Sequence, residues 1–311
     1  QVRPGERILV VTDEGPTKRI AQASYEEAVD MYGRDRVELL RIWKDRPVDI
    51  SSPPLPEARQ SFEYADVIIA PIWGSISHSP ETVEARKRGA RVVSMPGTRP
   101  SMFARSMSFD RNLINQMGLY LADEIRKLGE ITIKSSKGTD VTLYLDRQRP
   151  QLIDAGDFSK PGYGGNIPFG ELAIAPVETK GHGKVVFSLS ELTIGDCTVY
   201  LGDGKIVAFD EKAKSLVDLL RRFKNGDAIA EFAIGINPWI KYQPDDPEFN
   251  PYDTVVNEKI YGTCHVAFGN SVSFGGVNYC ITHRDVVILE PTYSIRGRKL
   301  NWKMSLDRML A

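Results

Sequence analysis

Cysteine is scarce in this sequence, and its arrangement excludes two common kinds of scaffold. Only Cys197, Cys264 and Cys280 occur among 311 residues. An odd, widely spaced set does not form a disulfide framework. Without a CxxC pair, neither a zinc ribbon nor a thiol redox motif is predicted. We therefore predict three free thiols in a protein of the reducing cytoplasm.

An excess of charge of one sign and long apolar runs are also missing. Forty basic residues against 41 acidic ones give a formal net charge of -1, whereas a nucleic-acid binder needs a basic surplus or stripe. No apolar run approaches the roughly 20 residues that cross a bilayer. The sequence therefore predicts neither a nucleic-acid partner nor a membrane partner.

The first part of the chain alternates between strand patterns and helix patterns. Short apolar runs at residues 7–11, 37–42, 66–70 and 91–95 are typical of parallel strands that are buried on both faces. Helical stretches separate them, and this repeated alternation predicts an open α/β sheet. The layout is Rossmann-like, but no GxGxxG follows the first strand, so no dinucleotide site is predicted.

The pattern changes after a long predicted helix at residues 111–128. A hairpin signal lies between residues 131–134 and 141–145, and further strand patterns follow with one amphipathic helix among them. We therefore predict a Rossmann-like α/β domain with an open sheet at residues 1–129. An α+β, strand-rich metal-binding domain is predicted at residues 130–311.

The strongest local signal for chemistry is HRD at residues 283–285, at the start of an apolar strand. Residues two apart in a strand face the same side, so His283 and Asp285 present an imidazole and a carboxylate together. One short element can hold a divalent cation in this way. A His–Asp hydrogen bond inside the core is the alternative.

A second histidine lies close enough along the chain to join that pair. His265 stands in an apolar run, and the linker at residues 270–278 is rich in glycine and serine. An antiparallel return would bring His265 next to His283 and Asp285. Two histidines and one carboxylate are the ligand set of many Zn²⁺ and Fe(II) sites. A satisfied core histidine is the alternative.

Two glutamates in apolar surroundings complete the candidate set. Glu171 begins a predicted strand and Glu231 lies within another. A buried carboxylate needs a partner, and a metal ion is such a partner, although a strand-end acid can also be exposed. Five ligands exceed the needs of one ion, so a second ion roughly 3.5–4 Å away is expected, bridged by a carboxylate. Glu171 or Glu231 would then be a ligand or a proton acceptor.

Four stretches in this order resemble the aminopeptidase T family, the thermophilic metallopeptidases of family M29. They are GGNIPFGE at residues 164–171, EFAIGINP at 231–238, NEKIYGTCHVAFG at 257–269 and HRD at 283–285. The resemblance covers the C-terminal domain well and the N-terminal domain loosely. It implies a homodimeric leucyl aminopeptidase-like hydrolase that cleaves an N-terminal amide of a short peptide or other small molecule. It also implies two Zn or Co ions, with one glutamate in proton transfer, and these ligands: Glu171, Glu231, His265, His283 and Asp285.

The sequence also departs from the peptidase pattern. The chain is shorter, and residues 270–273 (NSVS) stand where the family has a tyrosine, for which Tyr261 and Tyr279 are candidate substitutes. The position of Lys259 is open, because it could face the site or form a surface ion pair with Glu258.

The same family includes 2,5-dihydroxypyridine dioxygenases, and this is the alternative function. The resemblance then implies one Fe(II) bound by His265, His283 and Asp285, and cleavage of a hydroxylated aromatic ring. The segment SHSPE at residues 77–81 resembles that group as well as peptidase-like members. It implies an acid/base role for His78, and a plain helix-start residue is the alternative.

Overall fold

The structure is a computed structural model that describes residues 2–15, 17–42, 55–77, 79–106, 110–246 and 249–311. The chain forms two compact units, Gln1–Phe109 with Gly156–Phe169, and Asp110–Ala155 with Gly170–Ala311. This division is not a single cut near residue 129. The long helix after residue 110 groups with the strand-rich unit, and a short later segment returns to the first unit.

The elements of the described residues follow the chain in this order. The strands are β1 (Ile8–Thr12), β2 (Val37–Arg41), β3 (Val67–Ala70), β4 (Arg91–Ser94), β5 (Glu130–Ser135), β6 (Asp140–Tyr144), β7 (Gln151–Asp154), β8 (Gly164–Asn166), β9 (Glu171–Ile174), β10 (His182–Ser190), β11 (Thr193–Gly202), β12 (Lys205–Phe209), β13 (Ile229–Gly235), β14 (Cys264–Gly269), β15 (His283–Ile288), β16 (Pro291–Ile295) and β17 (Arg298–Leu300). The α-helices are α1 (Lys18–Tyr32), α2 (Arg59–Tyr64), α3 (Pro80–Lys87), α4 (Pro100–Ser106), α5 (Arg111–Arg126), α6 (Lys214–Arg221), α7 (Thr254–Asn257) and α8 (Trp302–Leu310).

The first unit is built on a parallel sheet with the strand order β2-β1-β3-β4-β8. Strand β1 is buried along its whole length, which explains its continuous apolar sequence. Helix α3 begins where Ser79 accepts a hydrogen bond from the backbone of Thr82, with Pro80 in the first helical position. The predicted parallel α/β sheet is confirmed, and β8 adds a fifth strand that the sequence patterns did not indicate.

The second unit is built on a large antiparallel sheet with the order β17-β16-β5-β6-β10-β15-β14-β13-β9-β7, and β11 and β12 extend it from β10. Helix α5 begins at an N-cap, Asp110, and its apolar side packs against β7 and β9. Strands β13 and β14 are buried along their full length. The polar side chains on these two strands therefore lie inside the protein.

The three cysteines are free and buried, as the sequence indicates. Separately, among the residues that the structure describes, no helix combines the length and the apolar character needed to cross a membrane.

Candidate metal centre

Strands β13, β14 and β15 lie side by side, and their register brings four polar residues to one face. Glu231 pairs with Ala267, and Ala267 pairs with Asp285. His265 stands two residues from Ala267 along β14, and His283 stands two residues from Asp285 along β15. Because strand residues two apart share a face, all four side chains point the same way. The antiparallel return that the sequence predicts between His265 and His283 is present.

Strand β9 adds Glu171 to the same face. Glu171 pairs with Gly235, which lies four residues beyond Glu231 on β13. The preceding Gly170 has φ +123°, and a Cβ atom there would lie 2.6 Å from the Cβ of Asn237. Only glycine allows this conformation at such a close approach. The Gly-Glu pair of the sequence motif therefore has a geometric reason.

A β-bulge precedes Glu231. The pairing of β13 with β14 shifts between Ile229 and Glu231, so β13 contains one extra residue there relative to β14. Bulges re-aim the side chains beside them and are frequent next to functional sites. The bulge sets the face on which Glu231 points, and no sequence pattern indicated it.

The carboxylate of Glu231 spans the two imidazoles. Its Oε1 atom lies 3.4 Å from Nε2 of His265, and its Oε2 atom lies 3.0 Å from Nε2 of His283. Oδ1 of Asp285 lies 3.4 Å from Nε2 of His283 and 3.9 Å from Nε2 of His265. Oε2 of Glu171 lies 3.6 Å from Nε2 of His265. The five side chains predicted from the sequence therefore meet at one place.

Two further residues reach this place from the turn that follows helix α7. Lys259 is fully buried, and its Nζ atom lies 2.5 Å from Oε1 of Glu171 and 2.6 Å from Oε1 of Glu258. Lys259 therefore faces the site. The alternative of a surface ion pair is wrong, because its ion pair with Glu258 is buried. Sequence reasoning did not select Glu258 as a site residue. Its place in the stretch at residues 257–269 was the available signal.

Six residues, called the cluster below, form three groups that could hold a metal ion. In each group three ligand atoms lie within 4.8 Å of one another, and each group combines one imidazole with two carboxylates. The groups are Glu171, Glu231 and His265; Glu231, His283 and Asp285; and Glu258, His265 and Asp285. Glu231, His265 and Asp285 each belong to two groups, so the cluster is arranged for shared ligands.

The imidazoles of the cluster hold protons strongly in the protein without an ion. Burial alone would lower the pKa of His265, but the hydrogen bond and the charge of Glu231 outweigh it and raise the pKa to about 9. The pKa of His283 is raised well above its ordinary value against the same effect of burial, because Asp285 and Glu231 attract the proton. A divalent cation would replace these protons.

The carboxylates divide into two kinds. Burial raises the pKa of Glu258 to about 8 and also raises that of Glu171, although Lys259 attracts both anions. Burial would raise the pKa of Glu231 as well, but hydrogen bonds to His265 and His283 lower it. Burial therefore opposes the ionisation of Glu171 and Glu258, and a divalent cation beside them would favour it.

The donor set fits a divalent cation. Oε2 of Glu171 is buried and has no hydrogen-bond partner, which is costly unless a cation or proton compensates it. The formal charge of the cluster together with Lys259 is minus three when the imidazoles are neutral. It is the sum of one ammonium and four carboxylates, those of Glu171, Glu231, Glu258 and Asp285. Oxygen and imidazole donors without a thiolate suit Zn²⁺, Co²⁺, Mn²⁺ and Fe²⁺.

The remaining candidates from the sequence are placed differently. His78 lies outside the described residues, so its predicted acid/base role stays a prediction. The hydroxyl of Tyr261 donates to Asp307 at 2.6 Å, so it is not a free hydroxyl for the cluster. Tyr279 is 72% exposed. Arg284, which lies between His283 and Asp285 in the sequence, forms an ion pair with Glu191.

Two family models match this chain and overlap in its middle. The model of 2,5-dihydroxypyridine 5,6-dioxygenase (NicX) matches residues 1–208, and that of the thermophilic metalloprotease family (M29) matches residues 115–303. Both families consist of metal-dependent enzymes, and the cluster supplies the matching ligand groups. The chain belongs to the M29 metalloprotease family in the broad sense that includes the 2,5-dihydroxypyridine dioxygenases.

Two solved structures share the fold over nearly the whole chain. The 2,5-dihydroxypyridine dioxygenase from Pseudomonas putida KT2440 is similar with a TM-score of 0.78 and 17% identity, over 96% of this chain and 90% of that one. Wild-type AmpT from Thermus thermophilus has a TM-score of 0.62 and 15% identity, over 96% and 95%. No curated protein matches the sequence significantly.

Proposed function

We propose that this protein is a metal-dependent hydrolase of the aminopeptidase T type, which uses two divalent ions, Zn or Co, to cleave an N-terminal amide. The observation that carries this proposal is the position of Glu231. Its two oxygens approach two different imidazoles, and it belongs to two ligand groups at once. A carboxylate shared in this way suits a pair of ions.

Two bound ions would polarise the scissile carbonyl and lower the pKa of a bound water. The carboxylates of Glu231 and Asp285 lie 3.0–3.4 Å from Nε2 atoms of the two imidazoles, so these side chains would bind the same ions. Glu171 or Glu231 would accept the proton of the attacking water, and both lie in the ligand groups. The charge of the cluster also favours this function, because two divalent ions and one hydroxide balance its formal charge of minus three.

A ring-cleaving Fe(II) dioxygenase is the second candidate, favoured by a separate observation. The fold is more similar to the solved dioxygenase than to AmpT, with TM-scores of 0.78 and 0.62. One Fe(II) would then be held by His265, His283 and Asp285, and a hydroxylated pyridine would be the substrate. This function leaves Glu171 and Glu231 without a role as ligands, which is why we place it second.

Metal content and reaction together distinguish the two functions. The full chain would be purified without added metal, and its ions would be quantified by mass spectrometry. Two Zn, Co or Mn per chain with release of an amine from aminoacyl amides supports the hydrolase. One oxygen-sensitive Fe per chain with dioxygen uptake on 2,5-dihydroxypyridine overturns it in favour of the dioxygenase.

Several further properties belong to the same proposal. We propose a short peptide or other small molecule as the substrate, a homodimer as the assembly and the cytoplasm as the location. Neither a nucleic acid nor a membrane is proposed as a partner. Size-exclusion chromatography with light scattering tests the assembly, and a mass of one chain, 34.7 kDa, would overturn it.

A further inference from the structure

Lys259 is a fully buried cation that contacts two residues of the cluster. Its Nζ atom lies 2.5 Å from Glu171 and 2.6 Å from Glu258, and the side chain has no exposed surface. A buried ammonium is costly unless carboxylates surround it, and the loss of one partner of such a pair is strongly destabilising. The Lys259 ammonium therefore supplies the positive charge that these two carboxylates need when no ion is bound.

The backbone fixes the place of this ammonium. The carbonyl oxygen of Lys259 accepts a hydrogen bond from the backbone of Asn237 at 3.1 Å, just beyond the end of β13. A side chain at Gly235 would strike the backbone of Glu258 and Ile260, so the turn packs directly on β13. The backbone of Lys259 is thus held beside β13, the strand that carries Glu231.

The contacts of Lys259 also divide the three ligand groups. The ammonium occupies Oε1 of Glu258 and Oε1 of Glu171, while Oε2 of Glu171 remains unpaired at 3.6 Å from His265. Among the ion pairs of the described residues, Lys259 contacts neither Glu231 nor Asp285. Because its Nζ atom lies 2.5 Å from Glu171 and 2.6 Å from Glu258, its positive charge disfavours a divalent ion in the two groups that contain these glutamates.

We propose that Lys259 is a resident cation of the metal centre, which offsets the charge of Glu171 and Glu258 and thereby weakens the binding of divalent ions by the cluster. The proposal rests on the binding of divalent ions by the cluster and not on the reaction that follows. It predicts that Glu258 is the counter-ion of Lys259 rather than a metal ligand.

The test compares the full chain with its Lys259→Met variant, which keeps the length of the side chain and removes its charge. Zn²⁺ affinity would be measured in chelator-buffered solutions, and melting temperatures in chelator and in saturating Zn²⁺. Loss of the charge should make Zn²⁺ binding at least about tenfold tighter, because unit charges a few ångströms apart interact by several kcal/mol even when partly screened. In chelator, the melting temperature of the variant should be lower than that of the wild type. Saturating Zn²⁺ should raise the melting temperature of the variant by more than that of the wild type.

Two further variants separate charge from packing. Lys259→Met combined with Glu258→Gln restores the formal charge of the cluster, and both the affinity and the Zn²⁺-induced rise in Tm should return towards the wild-type values. Glu258→Gln alone should keep the number of ions per chain, whereas Glu171→Gln should lose one.

The outcomes distinguish this inference from the proposed function. If the wild type binds no divalent ion, the metal centre itself is wrong. If the wild type binds ions and Lys259→Met binds them with equal or lower affinity, only the resident cation is wrong. If neither Lys259→Met nor the double variant folds with or without Zn²⁺, the fold requires the side chain itself, and the inference is overturned.

Discussion

The Nδ1 atom of His283 lies 2.8 Å from the backbone carbonyl oxygen of Asn270, at the start of the connection between β14 and β15. A carbonyl oxygen only accepts hydrogen bonds, so Nδ1 of His283 carries the proton. The neutral ring then offers the lone pair of Nε2 to an ion, on the side of the ring that faces Glu231. Backbone contacts of this kind fix the orientation and tautomer of metal-binding histidines.

Removal of either imidazole should remove metal. His265 and His283 each belong to one of the two ligand groups that contain Glu231. We expect His265→Ala and His283→Ala each to lose at least one ion, with activity abolished in both. The measurement is metal per chain after dialysis against a weak chelator. Full metal content in both variants would contradict the proposed metal site.

His182→Ala is the matched control for these two variants. His182 is exposed at the start of β10, and it belongs to none of the ligand groups. Its loss should leave both the metal content and the activity at the wild-type level. A parallel loss of metal from this variant would mean that the assay reports general damage to the protein.

The loop that orients His283 is itself anchored by a buried glutamate. Glu178 accepts hydrogen bonds from Arg149 at 2.7 Å, from the hydroxyl of Ser271 and from the backbone of Val277 at 2.7 Å. Burial would raise the pKa of Glu178, but these bonds outweigh it and lower the pKa below its ordinary value. The connection between β14 and β15 is therefore stabilised by an ionised carboxylate.

Glu178→Gln should weaken this anchor in a pH-dependent way. Because the folded pKa is depressed, the stabilisation is fully present above the unfolded value, about 4.3, and is lost as the pH falls through the folded pKa. We expect the variant to lose about 2 kcal/mol of unfolding free energy at pH 7, the size of a hydrogen bond to a charged group. Urea unfolding at pH 7 and pH 3.5 measures this difference, which should shrink at the lower pH.

Glu84→Gln provides the control for that experiment. Glu84 is exposed on α3, where it forms an ion pair with Lys87. The variant should unfold like the wild type at both pH values. A difference between the wild type and Glu178→Gln that stays constant from pH 7 to pH 3.5 would show that the carboxylate charge is not the cause.

Local patterns were enough to predict much of the site. The two-residue spacing of His283 and Asp285 places both on one strand face, and the glycine-rich linker predicts the return to His265. Glu171 and Glu231 were indicated by their apolar neighbours, since a carboxylate in such a run needs a partner. Each of these inferences uses only the period of a strand and the cost of burial.

The parts that were not predicted depend on contacts between distant segments. Lys259 and Glu258 lie in a turn, where no periodicity tells a buried ion pair from an exposed one. The bulge before Glu231 arises from pairing with β14 and has no local sequence mark. Strand β8 joins the parallel sheet through pairing with β4, and its three residues are too few to show a pattern.

The cysteines should react only after unfolding. Cys197, Cys264 and Cys280 are all buried, and burial raises the pKa of Cys264 to about 12 and also raises that of Cys197. Thiolates are the reactive species, so native protein should show no fast reaction with an aromatic disulfide reagent. Three thiols per chain should react in denaturant. A fast-reacting thiol in the native protein would contradict this burial.

Phe274 should affect both stability and metal affinity. Its ring stacks on His283 with centroids 5.3 Å apart, and it packs in a small apolar cluster with Ala173, Ala175 and Ala233. Phe274→Ala should lose about 3–5 kcal/mol of stability. It should also weaken Zn²⁺ binding about 10- to 100-fold, the usual effect of a lost supporting contact.

Phe62→Ala is the matched control, because it makes the same substitution in the other compact unit. Phe62 is buried in the core of the first unit, whereas the ligand-bearing strands belong to the second unit. This variant should lose a similar amount of stability, about 3–5 kcal/mol, and keep its Zn²⁺ affinity. Both quantities would be measured on full-length protein, by urea unfolding and by chelator competition. If Phe274→Ala and Phe62→Ala bind Zn²⁺ equally well, the Asn270 carbonyl alone orients His283, and the stacked ring contributes only to packing.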